Sequence, residues 1–268
     1  TYAKGASVLK QLVAYVGRDK FFEGIHSYLD KHAYSNATLS DLLDELEITS
    51  GRDLKAWSAK WLEESGINTI TPQVESEDGR LTKVILTQTA PADHPVLRPH
   101  RLALGFYNED KATGRIVRTD RVELDVDGET TVVDGVAGKE RPALLLVNDD
   151  DLTYTKIRFD EESLAFAEHN LERFDDALAR AVIWLAFWDM TRDGEFPAER
   201  FVAMTLRLLA RETESTTFRY ALASMGTAAH HYVAPASREK VLAQVADGLW
   251  RLANAAEAGS DNQFQLVT

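Results

Sequence analysis

The residue types that most often carry catalysis and metal binding are present in this 268-residue chain, but their spacing forms no complete site. No two of the seven histidines lie three or four positions apart, so no helix face presents the two imidazoles of a zinc site. They are His26, His32, His94, His100, His169, His230 and His231. The motifs HExxH, GxSxG and GxGxxG and the phosphate-binding P-loop do not occur either. The spacing of these residues and the motif search therefore predict no metal-binding or cofactor-binding residue.

Two polar clusters have both a functional and an ordinary interpretation. Adjacent His230 and His231 point in different directions on a helix, which favours surface or buried structural roles over metal binding. The NDDD run at 148–151 is rich in oxygen ligands, but it lacks the alternating spacing of an EF-hand loop. We expect a solvated turn there rather than a calcium site. On composition alone, Tyr2 is an ordinary aromatic residue beside a helix.

Composition and charge exclude several classes of protein. Hydrophobic residues at 44% and charged residues at 27% are typical of a globular protein, and the length predicts two or three domains. A net charge of -13 repels nucleic acid; it indicates solubility, with attraction of cationic ligands as the alternative. The longest apolar run, residues 181–188, is far short of the roughly 18 residues that span a membrane. The chain has no cysteine, which fits the reducing cytoplasm, where we expect the protein to be located.

Hydrophobic periodicity predicts a helical packet over residues 1–69. Apolar residues recur at helical spacing in four stripes, and Gly17 and Gly66 follow the first and the last of them. Thr38, with Asp41 three residues later, is a good N-cap for the third helix. The sequence therefore predicts four short helices in this part of the chain.

The period changes twice after the packet. Residues 70–158 alternate, for example Leu102, Leu104 and Phe106 against their neighbours, and turn signals separate runs of strand length, which predicts a small antiparallel β-sandwich. Residues 159–268 return to helical spacing, with Asp160 as a candidate N-cap, and favour an open helical array. The predicted fold class is multidomain α+β.

The beginning of the chain resembles the aminopeptidase N family of zinc metallopeptidases. The residues that carry this resemblance are YAKGA (2–6), LVAYVG (12–17) and FFEGIHSYL (21–29), followed by NAT (36–38), DLL (41–43), SGRDL (50–54) and WL (61–62) ahead of Gly66. They follow the family's order at its approximate spacings. No single piece is specific, but together they are. Beyond residue 70 the similarity lies in the organisation and in PALLLVNDDD (142–151).

The resemblance implies a fold and a mechanism. It makes residues 1–69 the helical end of a thermolysin-like catalytic domain, followed by the sandwich and the first part of the C-terminal helical domain. In the family, two histidines and a glutamate hold zinc, the glutamate of HExxH activates water, and a tyrosine donates to the oxyanion. Only that tyrosine maps onto this chain, as Tyr2, the single catalytic residue that the resemblance implies. Ala3 and Asn68 depart from the family's usual glutamate and proline, and Lys4 and Gly5 are expected to serve helix surface and close packing.

Two hypotheses follow. The first is a fragment of a zinc aminopeptidase that removes N-terminal residues from peptides, with both ends of the chain cut, the zinc ligands upstream, no catalysis by the isolated chain, and self-association through faces left uncovered. The second is a non-catalytic helical and β-sandwich module that binds a protein partner, or one half of a split enzyme. Neither hypothesis includes a nucleic acid or a membrane as a partner.

Overall fold

The computed structural model describes residues 2–267 of the chain, apart from the side chain of residue 3. Helices extend from Tyr2 to Glu63, strands follow between Thr69 and Ile157, and helices resume from Glu161 to Val267. Across residues 2–267, no helix is both long enough and apolar enough to cross a membrane.

The chain divides into two compact units. The first contains the residues up to Gly105 together with Asp120–Asp160, and the second contains Phe106–Thr119 together with the residues from Glu161 onward. The division into three domains at 1–69, 70–158 and 159–268 stays a prediction, and its outer bounds at residues 1 and 268 lie outside the described residues.

The first unit begins with the four predicted helices. They are α1 (Tyr2–Val16), α2 (Arg18–Lys31), α3 (Leu39–Ser50) and α4 (Leu54–Ser58), and α4 continues as a π-helical turn at Ala59–Glu63. Thr38 caps α3 as predicted, because the Asp41 carboxylate accepts the Thr38 N–H at 2.7 Å while the Thr38 hydroxyl accepts the Asp41 N–H at 3.4 Å. Gly17, with a φ of 92°, follows α1 in a conformation that suits glycine.

An apolar core holds these helices together. Its buried members are Val8, Leu12, Val16, Leu43, Leu46, Leu54, Trp57 and Trp61. Tyr15 stacks on Trp57 with ring centroids 6.0 Å apart. Other apolar side chains of the predicted stripes are half exposed or more, among them Phe22 at 56% and Leu29 at 59%. Periodicity therefore found the helices but overstated how much of each apolar face is buried within the described residues.

Between residues 2 and 267, seven strands form two small sheets. The first sheet has the order β5-β2-β1-β7 and the second the order β4-β3-β6. The strands are β1 (Thr69–Glu77), β2 (Arg80–Thr89), β3 (His100–Glu109), β4 (Ile116–Val126), β5 (Thr130–Val132), β6 (Leu144–Val147) and β7 (Lys156–Ile157). β1 and β2 pair antiparallel, from Thr69 opposite Thr89 to Glu77 opposite Arg80, with a bulge after Glu75.

Burial along the strands departs in part from the predicted alternation. β4 alternates as expected, because Leu124 and Val126 are less exposed than Glu123 and Asp125. β3, in contrast, is buried on both faces from residue 102 to residue 107. Its near-continuous apolar run is typical of a strand covered on both sides. The strict in-and-out pattern expected for β3 is therefore wrong.

The second unit is mainly helical. Its helices are α5 (Glu161–Asn170), α6 (Ala177–Arg192), α7 (Ala198–Leu208), α8 (Ser215–Thr227), α9 (Pro235–Ala255) and α10 (Asp261–Val267). A buried ion pair joins Arg180 on α6 to Glu212 ahead of α8, with 3.0 Å between Nη2 and Oε1. The Glu212 carboxylate also accepts the Trp184 indole N–H at 3.3 Å and the backbone N–H of Thr213 at 3.0 Å. These bonds replace the water that both charged groups lose on burial.

Candidate functional site

Tyr2 is the first residue of α1, and its side chain is 97% exposed. A phenol in this place is accessible to a ligand, and its O–H can donate a hydrogen bond to a developing oxyanion. The position is thus chemically suited to the role that the resemblance implies.

The first turns of α1 extend beyond the core of the helical packet. Lys4 is exposed, as expected for a surface residue. A Cβ built on Gly5 would meet nothing within 4 Å. Because the first buried side chain of the helix is that of Val8, the close packing expected at Gly5 is wrong among the described residues.

Two neighbouring residues join α1 to the turn that follows β6. The Lys10 ammonium lies 2.8 Å from a carboxylate oxygen of Asp151. The Gln11 side chain is buried, and its Oε1 lies 3.1 Å from the hydroxyl oxygen of Thr153 and accepts the backbone N–H of Tyr154 at 2.9 Å. All of these residues belong to the first compact unit. The second half of α1 is therefore held by an exposed ion pair and by buried hydrogen bonds.

Thr153 also contacts His100, which begins β3. The His100 Nδ1 lies 2.8 Å from the Thr153 hydroxyl oxygen, and the Nε2 lies 3.2 Å from Oε1 of Gln88. Burial, and secondarily the neighbouring Arg98 guanidinium, lowers the pKa of His100 to about 3, so the ring is neutral at physiological pH. His100 is consequently a hydrogen-bonding element and not a proton-transfer group.

The NDDD run forms the turn that positions Thr153. The Asn148 side chain accepts the Thr153 N–H at 3.0 Å and donates to the Thr153 carbonyl at 2.9 Å. Asp149 is buried at 1% exposure, and Asp150 accepts the Arg121 Nε–H at 2.9 Å. The turn is therefore partly buried and its acidic groups are paired with cations, so the expectation of a solvated turn is wrong for Asp149.

A cleft of about 700 Å³ borders the second half of α1. Its walls include residues 13–17, Arg52, Arg101 and Glu123. The Arg52 guanidinium lies 4.1 Å from the centroid of the Tyr15 ring and 3.0 Å from Asp125. Arg101 likewise pairs with Asp125 at 3.2 Å. The Asp125 carboxylate is thus shared by two arginines of the lining.

The remaining sequence candidates do not assemble into a site. His230 and His231 are exposed in a π-helical turn at Ala228–Tyr232, with ring centroids 6.3 Å apart. Within the described part of the chain, no group of three or more histidine, aspartate or glutamate side chains is placed to hold a metal ion. These residues therefore do not fit the zinc site that the resemblance implies for the whole enzyme.

Comparisons with known proteins agree with the resemblance. The peptidase family M1 domain matches residues 1–61, and the ERAP1-like C-terminal domain matches residues 144–268. Aminopeptidase N of Streptomyces lividans is 49% identical over 271 residues, which cover 98% of this chain and 32% of that protein. The chain belongs to the M1 family of aminopeptidases. Aminopeptidase M1-B of Oryza sativa subsp. japonica is 28% identical over 169 residues, or 63% of this chain and 19% of that protein.

A solved aminopeptidase structure has a similar fold over nearly the whole chain. The crystal structure of Legionella pneumophila aminopeptidase A matches with a TM-score of 0.60 and 15% sequence identity, over 99% of this chain and 33% of that one. The predicted fold class is confirmed: helices, two small sheets and a helical C-terminal region follow one another as in aminopeptidase N-like proteins. The chain spans about a third of the length of this structure and of the Streptomyces relative.

Sequence reasoning missed the buried contacts of α1 in this M1 chain. One signal was available, because Gln11 is a polar residue next to the apolar stripe formed by Val8, Leu12 and Val16. Its partners Thr153 and Tyr154 are more than 140 positions away, so no local pattern could identify them.

Proposed function

We propose that this chain is the C-terminal part of a zinc aminopeptidase that removes N-terminal residues from peptides. The single observation that carries the proposal is the 49% identity to aminopeptidase N of Streptomyces lividans across 98% of the chain. The substrates would be peptides with a free N-terminus. The cytoplasm is the proposed location, on the basis of the composition alone.

Tyr2 would serve this reaction as the donor to the oxyanion. Its hydroxyl would donate a hydrogen bond to the scissile carbonyl oxygen, and the bond would strengthen as negative charge develops on that oxygen. Two features support this role: the exposure of the side chain and its location within the segment that matches the M1 domain.

The zinc ligands and the general base would come from a part of the parent enzyme that precedes this chain. The described residues supply no set of ligands that fits zinc. We therefore expect the isolated chain to hydrolyse no aminopeptidase substrate. Apolar side chains exposed on the helical packet, among them Leu9, Phe22 and Leu29, would be covered in the parent and would promote self-association of the isolated chain.

The decisive experiment uses the full-length enzyme with the substitution Tyr2→Phe. We expect kcat for an alanyl or leucyl nitroanilide to fall about 100-fold to 1000-fold, with KM changed much less, because the lost bond is made mainly in the transition state. Unchanged turnover would remove Tyr2 from the mechanism.

The isolated 268-residue chain provides the second arm of this test. Release of nitroaniline in proportion to bound zinc would contradict the assignment of the zinc ligands to another part of the enzyme. A full-length protein without aminopeptidase activity would favour the alternative of a non-catalytic binding module.

A further inference from the structure

We propose that Gln11 and Thr153 form a positioning pair that sets the place of the Tyr2 hydroxyl in the catalytic centre. The inference rests on the proposed function, since it gives Tyr2 the role of oxyanion donor. Neither residue of the pair is proposed to touch the substrate: from Tyr2 to Gln11, α1 rises about 13 Å at 1.5 Å per residue.

The described side chains at the beginning of α1 lie at the surface of this chain. Tyr2, Lys4, Gly5 and Ala6 are all exposed, and Val8 is the first of the described side chains of α1 that is buried. A regular helix moves as a rigid element over nine residues. Contacts further along α1 therefore help to decide the place of Tyr2.

Hydrogen bonds define that place more sharply than apolar packing does. Apolar burial is non-directional and allows a helix to turn about its axis, whereas a hydrogen bond fixes both a distance and an angle. Gln11 Oε1 is held from two directions, by the Thr153 hydroxyl at 3.1 Å and by the Tyr154 backbone N–H at 2.9 Å. The pair thus fixes both the rotation of α1 and its position along its axis.

His100 holds Thr153 from the other side. The Gln88 amide has a fixed orientation, because its Nε2 donates to the Gly128 carbonyl at 2.8 Å and its Oε1 accepts the Arg98 N–H at 3.0 Å. His100 Nε2 must then carry the proton that it donates to Gln88 Oε1, which leaves Nδ1 as an acceptor.

The single hydroxyl proton of Thr153 therefore lies between two acceptors, His100 Nδ1 and Gln11 Oε1. It serves both of them as a three-centre hydrogen bond, and the Tyr154 N–H is the second donor to the Gln11 oxygen. Thr153 is thereby held between β3 and α1 and fixes the distance between them.

The test is a double-mutant cycle in the full-length enzyme between Thr153→Val and Tyr2→Phe. Valine preserves the shape of threonine but removes the hydroxyl. We expect Thr153→Val to lower kcat about tenfold with KM within about twofold, because small displacements of a catalytic group are costly. In the Tyr2→Phe background the same change should lower kcat less than about twofold, since the group being positioned is already gone.

Two controls accompany the cycle. Thr153→Ser keeps the hydroxyl and should restore most of the turnover. Ser27→Ala removes a 2.6 Å hydrogen bond to Glu45, which joins α2 to α3, and should leave kcat within about twofold. Gln11→Leu is measured in the same double-mutant cycle with Tyr2→Phe. It takes the place of Thr153→Val if the valine variant does not fold.

Either of two results overturns the inference. One is an equal loss of turnover in both backgrounds, as a purely structural defect would give; the other is an unchanged kcat. The activity of the full-length enzyme decides the proposed function and Tyr2→Phe alone decides the role of Tyr2, whereas the coupling between the two substitutions decides the role of Gln11 and Thr153, so the failures are distinguishable.

Discussion

The Nδ1 atom of His100 lies 2.8 Å from the hydroxyl oxygen of Thr153, inside the first compact unit. The ring also meets Trp61 edge-on, with centroids 5.1 Å apart. Burial holds the pKa of His100 at about 3, against an ordinary value of 6.5. A histidine of this kind stabilises the native state only while it remains uncharged.

Stability should decrease in acid through His100. Between pH 6.5 and pH 3 the unfolded chain binds a proton at this ring that the native chain does not bind, so the free energy of unfolding falls as the pH falls through that window. Between pH 7 and pH 4.5 we expect a loss of about 2 to 3 kcal/mol from this group. Urea unfolding of the chain at the two pH values measures the loss.

His100→Gln is the matched variant for this measurement. Glutamine does not titrate, and its amide can still donate to Gln88 and accept from Thr153. The variant should therefore lose about 2 to 3 kcal/mol less than the parent between the same pH values. An identical pH dependence in the two proteins would contradict the assignment.

Two helical glycines should respond oppositely to alanine. A Cβ at Gly24 would lie 2.7 Å from Cδ2 of Leu46, which is buried, and 3.3 Å from the Glu45 carbonyl oxygen. Gly24→Ala should therefore destabilise the chain by about 1 to 2 kcal/mol. Gly5→Ala meets open space and should stabilise it by about 0.5 to 1 kcal/mol through helix propensity. Thermal unfolding of both variants tests the contrast, and a shift of the same sign in both would contradict it.

The buried pair of Arg180 and Glu212 should be costly to break. Arg180→Met leaves the Glu212 carboxylate buried without its cation, and we expect a loss of about 3 to 5 kcal/mol. Lys20→Met, which removes an exposed pair with Glu23, should cost less than about 1 kcal/mol. Urea unfolding followed by tryptophan fluorescence compares the two variants. Similar small losses would mean that the bonds around Glu212 do not depend on the arginine.

The isolated chain should self-associate through α2. Phe22 and Leu29 are seven residues apart, so they lie on the same side of the helix, and each is more than half exposed. Light scattering should show an average mass that rises with concentration. The double substitution Phe22→Ser with Leu29→Ser should reduce this rise, whereas Val132→Ser on β5 should not. A monomer at every concentration would contradict the prediction.

Local sequence signals predicted the helices and strands of this chain better than they predicted which side chains are buried. The Thr38 and Asp41 capping box and Gly17 depend on residues close in sequence, and both behave as predicted. Close packing at Gly5 and burial on both faces of β3 depend on what the fold places beside these residues. The expectation that came with the resemblance was therefore wrong for Gly5, and the expectation from periodicity was wrong for β3.

Of the candidate site, the sequence supplied Tyr2 through resemblance alone. The support of α1 required contacts between Gln11 and residues more than 140 positions away. Only the folded chain brings these residues together.

The turn after β6 has a consequence for which substitutions the chain can accept. Asn148, Asp150 and Asp151 have φ values of 58°, 64° and 52°. Residues other than glycine, asparagine and aspartate rarely adopt this left-handed backbone conformation. A library randomised at these three positions and selected for folding should retain mainly these three residue types. For Asp150 and Asp151, the choice of aspartate thus reflects the shape of the backbone as well as the pairing of the carboxylates with Arg121 and Lys10.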